Sequence, residues 1–88
     1  MVMTGMDIIE VRSLAQQLNN ASQEIQQLAQ QLTTRLQNTP WVGADRERFV
    51  SDWESQHRQG LQQVVSALQH ASQLATQNAS EQENVSNA

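Results

Sequence analysis

The 88-residue chain has no cysteine, no tyrosine and no lysine, and it carries one proline, three glycines and three aromatic residues. Each absence removes a class of chemistry. Without cysteine there is no disulfide framework, no thiolate metal site and no sulfur nucleophile. The two histidines, His57 and His70, lie thirteen positions apart (70 − 57), a spacing that does not set two ligands on one helix turn. No glycine-rich phosphate loop is present, and Asp52 and Glu54 point to different faces of any helix that holds them. No catalytic residue, cofactor or metal is therefore expected. The basic residues are five arginines against nine acids, for a formal charge of −4. That balance offers no basic stripe to neutralise phosphates and no attraction to an anionic membrane surface. Met1 to Asp7 lacks a positive region followed by an apolar core, so no general secretory signal peptide is expected. No apolar run approaches membrane-spanning length.

What is present favours helix. Gln alone supplies 16 residues, and with Ala, Leu, Glu and Arg it fills both halves of the chain. Proline and glycine meet at one place only, Asn38-Thr39-Pro40-Trp41-Val42-Gly43, which reads as a single turn. In the first arm Val11, Leu18, Ile25 and Leu32 recur every seven residues. Leu14, Ala21 and Leu28 interleave with them, and Ala15, Ala29 and Leu36 widen the stripe by one column. Asp7 followed by Glu10 reads as a helix start, with one acid capping and the other reaching back. In the second arm Val50, Trp53, His57, Leu61, Val64, Leu68, Ala71 and Ala75 step by three or four. Phe49, Val65 and Leu74 flank them. Asp45 and Glu47 fall in the first turn, where the helix dipole favours them.

The expected fold is all-α: an antiparallel two-helix hairpin with helices over 7–38 and 44–78 and a turn over 39–43. Residues 1–78 form the hairpin domain. The periodic signal fades after Ala75, so 79–88 is expected to be a flexible tail. Apolar stripes wider than one neighbouring helix can cover, on a chain too small for a deep core, call for a partner. The expectation is a dimer that closes a four-helix bundle. Its interface residues are Leu14, Leu18, Ile25, Leu28, Leu32, Val50, Trp53, His57, Leu61, Val64 and Leu68. His57, on the stripe, reads as a packed or interface histidine rather than a ligand.

Trp41 stands apart, because a short turn has little core in which to hide an indole. It is either a hydrophobic plug at the end of the hairpin or an exposed anchor for a partner. From composition alone the two readings are even.

Trp41-Val42-Gly43 at the midpoint of such a chain, with Phe49 and Trp53 spaced after it, resembles the WXG family. These are the small early-secreted-antigen-like substrates of type VII (ESX) secretion systems. The resemblance covers nearly the whole chain. It implies a helical hairpin that forms homodimers or heterodimers as four-helix bundles, and that leaves the cytoplasm folded through an apparatus driven by a membrane ATPase. It also implies that the Trp-x-Gly turn of one subunit lies near the carboxy-terminal helix of the other, as a composite export signal. That role falls here on Trp41 and Gly43, with Glu81 and Glu83 toward the carboxy terminus. The chain departs from the family pattern at its tail. The usual signal there is Tyr, three variable residues, then Asp or Glu, and this chain has no Tyr. Either a partner brings the tyrosine, or this chain is not exported by itself.

The resemblance thus implies a non-enzymatic substrate or escort of a type VII system. Its partners are itself or a second WXG-type chain, and the secretion ATPase. Neither nucleic acid nor stable membrane insertion is expected. Its place is outside the cell without a signal peptide, with a cytoplasmic pool. The alternative is an intracellular helical adaptor that uses the same stripes and is never exported. A DNA-binding helix-turn-helix would need shorter arms, a different turn and the opposite charge.

Overall fold

The computed structural model describes residues 7–87. Residues 1–6 of the expected hairpin domain and Ala88 of the expected tail lie outside the described part. All described elements are helical. Helix α1 spans Ile8–Asn38 and α2 spans Ala44–Asp52; a π-helical turn, Trp53–His57, then leads directly into α3, Arg58–Asn87. The two arms lie antiparallel, in an extended hairpin of 67 × 18 × 17 Å.

The helix ends follow from local chemistry. The Asp7 carboxylate accepts the Glu10 amide at 3.1 Å and caps α1. The return bond from the Glu10 side chain, expected from the capping-box pattern, is not formed. At the other end the Thr39 amide donates to the Leu36 carbonyl at 3.3 Å, and the Thr39 hydroxyl donates to the Arg35 carbonyl at 2.6 Å. Thr39 itself is extended, as a residue before proline must be, and Pro40 ends the helix. Gly43 has φ +125°, a backbone state that side-chain-bearing residues rarely adopt. It precedes α2, and its carbonyl accepts the Glu47 amide at 3.2 Å.

Small residues form the seam between the arms. Ala15, Ser22, Thr33, Val65 and Ala79 are buried. Ile8, Ala15, Ser22, Ala29 and Leu36 recur every seven residues along the inner side of α1, and none is exposed. Ala and Ser at these positions let the helices approach closely. Hydroxyls then bond to carbonyls instead of remaining orphaned. Ser22 donates to Asn19 and Thr33 to Ala29, both at 2.7 Å, while Ser72 reaches across the seam to the Ala15 carbonyl at 2.7 Å. No buried side-chain polar atom among the described residues lacks a partner.

The π turn explains why the second arm keeps one side to the seam. The Arg58 amide donates to the Trp53 carbonyl, five residues back, which lodges one extra residue in the helix. The inward positions therefore run Val50, Trp53, Arg58, Leu61, Val65, Leu68, Ser72, Ala75, Ala79, with a step of five in place of four at the wide turn. His57 and Val64, expected on the stripe and at an interface, are exposed in the single hairpin.

The carboxy terminus also differs from the sequence reading. Helix α3 runs through residue 78 to Asn87. Ala79 continues the spacing of Ala75 and is buried. Glu83 forms an ion pair with Arg12 at 2.8 Å, which ties the end of α3 to the start of α1. A lone alanine among polar residues gives little periodic signal, so the extension was hidden in the sequence.

Candidate interaction surface

The two broad sides of the hairpin differ in chemistry. The large aliphatic residues left in solvent include Leu14, Leu28 and Leu32 on α1, at 50%, 55% and 52% exposure, and Val64 and Leu74 on α3, at 46% and 48%. Each immediately precedes an inward residue: Ala15, Ala29, Thr33, Val65 and Ala75. One residue back is a turn of about 100° about the helix axis. Antiparallel helices are related by a two-fold axis normal to their common plane, so the same turn on both arms points to the same side. Leu14, Leu28, Leu32 and Val64 thus build one apolar face, with the half-buried Leu18, Ile25 and Leu68 filling it toward the seam. Leu74, which precedes a seam residue already turned toward this side, lies at the face's outer margin.

The opposite side is polar. A shallow groove of about 420 Å³ there is lined by residues that include Gln26, Gln30, Gln59 and Gln62, together with Glu54 and Arg58. The last two form an ion pair at 3.1 Å. Pairs this exposed contribute little to stability.

At the turn end the apolar face deepens into a cleft of about 280 Å³. It is lined by Leu32, Leu36, Trp41, Phe49 and Trp53, with Thr39 and Arg35 at its edge. The Trp41 and Phe49 rings lie 5.4 Å apart and tilted by 54°, a favourable aromatic geometry. Trp41 packs one side on Phe49, and 37% of the residue remains in solvent. Trp53 is half-buried. Its Nε1 donates to the Thr33 hydroxyl at 2.9 Å, and its ring lies 6.3 Å from that of His57.

Of the residues expected at an interface, Leu18, Ile25, Val50, Trp53, Leu61 and Leu68 are half-buried within the hairpin itself. Leu14, Leu28, Leu32, His57 and Val64 are exposed. The four residues assigned to an export motif are not brought together within one chain. Trp41 and Gly43 sit at the closed end. Glu81, accepting from Gln77 at 3.2 Å, and Glu83, paired with Arg12, sit at the open end.

Among the buried residues, sequence reasoning missed Ser22 and Thr33, because a polar residue does not score as core, and Ala79, because it lay beyond the expected helix. The available signal was heptad spacing: Ser22 completes the series from Ile8 to Leu36. Among the described residues no group of three His, Asp or Glu side chains converges as a metal ion would require. No described helix is long and apolar enough to cross a membrane.

The chain exposes 6717 Å², against about 5,200 Å² for a compact monomer of its 9.9 kDa mass. An elongated hairpin with an uncovered apolar face accounts for such an excess. No family model, curated protein or solved structure matches the chain.

Proposed function

We propose that the chain is a non-enzymatic protein of the WXG type, a substrate or escort of a type VII (ESX) secretion system that works as a dimer. One observation carries the reading: the Trp41-Val42-Gly43 turn closes a two-helix hairpin whose single apolar face ends in an aromatic cleft beside that turn. The face would be covered by a second hairpin to complete a four-helix bundle, and the half-exposed Trp41 would be the group the export apparatus reads. Isolated aliphatic residues on a surface need no explanation, but a contiguous row on one face marks a contact site.

A second reading, an intracellular helical adaptor, is favoured by the tail. No tyrosine is available for an export signal, and the Glu83 carboxylate is already engaged by Arg12. The two readings separate by fractionation. In cells with an active ESX apparatus, the chain should appear in the culture filtrate and disappear from it when the secretion ATPase is inactivated. Recovery from the lysate alone, with a control substrate exported normally, would establish the adaptor.

A further inference from the structure

The three aromatic residues of the chain, Trp41, Phe49 and Trp53, come from the turn, from α2 and from the π turn, and all three line one cleft. The seam, which could have hidden them, is filled by small residues instead. Each ring is held in place. The Trp53 indole is fixed by its bond to the Thr33 hydroxyl at 2.9 Å, and Trp41 and Phe49 pack on each other at 5.4 Å. Walls that are already ordered lose little freedom when something binds between them. The wall at Trp53 is set by the π turn, a feature that recurs at functional sites.

Charge identifies the kind of molecule the cleft suits. Among the described residues Arg35 is the only charged one in its lining, and it forms no ion pair with another described residue. Asp45, Arg46, Glu47, Arg48 and Asp52 stand nearby on α2, two positive and three negative, and none of them lines the cleft. Glu54 and Arg58 pair with each other on the opposite side. The nearest carboxylate on α1, Glu24, is eleven residues from Arg35 (35 − 24), about 16 Å along the helix. We propose that the cleft binds a medium-chain fatty acid, with its tail against Leu32, Leu36 and the three rings and its carboxylate on the Arg35 guanidinium. A guanidinium fork matches a carboxylate at two points. The volume, about 280 Å³, lies just under the roughly 300 Å³ at which pockets for drug-sized molecules begin, so it takes one short chain and no phospholipid. The inference goes beyond the secretion reading and does not rest on it, because one hairpin supplies every wall.

Both tryptophans line the cleft, so their fluorescence is the readout. The purified chain is titrated with decanoate below its micelle concentration. The emission should shift to the blue and saturate at one molecule per hairpin. Decyltrimethylammonium, with the same tail and the opposite charge, should bind more weakly. Arg35→Gln should weaken decanoate by about threefold to tenfold and remove that difference. Arg35→Lys, which keeps the charge in the last turn of α1, should retain the preference for the anion. Across octanoate, decanoate and dodecanoate the affinity should rise by up to about fourfold per methylene and then level off once the cleft is full. Leu14→Gln, far along the apolar face, should leave decanoate binding unchanged. Circular dichroism of each variant confirms that the hairpin is folded. Equal binding of anion and cation overturns the proposal, as does an Arg35→Gln variant that binds decanoate as well as the unmodified chain. A rise in affinity that never levels off, or a loss in Leu14→Gln, would place the tail on the open face and overturn it too. So would a response to phosphatidylglycerol vesicles with none to monomeric decanoate. Any of these failures leaves the export assay, and the reading it tests, untouched.

Discussion

The Trp53 indole donates to the Thr33 hydroxyl at 2.9 Å, and that hydroxyl donates in turn to the Ala29 carbonyl at 2.7 Å. This relay joins the arms at the level of the π turn. Thr33→Val keeps the shape and removes both bonds, leaving a half-buried N–H without its partner. The expected cost is about 1–2 kcal/mol, a fall in Tm of roughly 4–8 °C per kcal/mol for a domain this small. Thermal denaturation followed at 222 nm measures it; an unchanged Tm would show that water satisfies the indole equally well.

Trp41→Ala tests the cleft. The ring is partly in solvent, so the loss should stay below the roughly 3–5 kcal/mol of a fully buried tryptophan. Helicity should persist and Tm should fall by a few degrees. If the indole is the group read by a secretion apparatus, export should drop far more than stability does. Parallel measurements of Tm and of the exported fraction separate the two roles.

Gly43→Ala should destabilise the hairpin although nothing lies within 4 Å of the added methyl group. The cause is backbone conformation: φ +125° strains any residue with a Cβ, by about 1–3 kcal/mol. Val42, almost fully exposed beside it, serves as the control, and Val42→Ala should leave urea unfolding unchanged.

Arg12→Ala breaks the ion pair to Glu83 at the open end. Both side chains are nearly half exposed, so the global cost should stay within about 1 kcal/mol and shrink in high salt. The local effect should be larger. Amide hydrogen exchange should accelerate over the last turns of α3 before it changes near Val65, since ends open more readily than cores. Uniform acceleration along the hairpin would contradict that ordering.

The hairpin and its turn were legible because each carries a strong local signal: Pro40 and Gly43 in the turn, and aliphatic residues at helical spacing on either side. The choice of seam was not legible. Val11, Leu18, Ile25 and Leu32 form the more hydrophobic column, but Ala15, Ser22 and Ala29 are the residues that let two backbones draw together. Hydrophobicity ranks transfer from water, whereas a close helix pair also selects for small volume. The exposure of His57 was hidden for another reason. A count by threes and fours assumes 3.6 residues per turn throughout, and the π turn shifts every position before it relative to those after it.

The wide turn has one consequence for chain length. Loss of a single residue between Trp53 and His57 would let the whole second arm become a regular α-helix, in which four residues advance about 400°, close to a full revolution. The residues on both sides of the deletion would still face the first arm. The same deletion within α3 would swing one half of the arm by about 100° and bring glutamines inward. This segment is thus the hairpin's tolerance joint, the one stretch of the arm where the spacing can change by one without breaking the match.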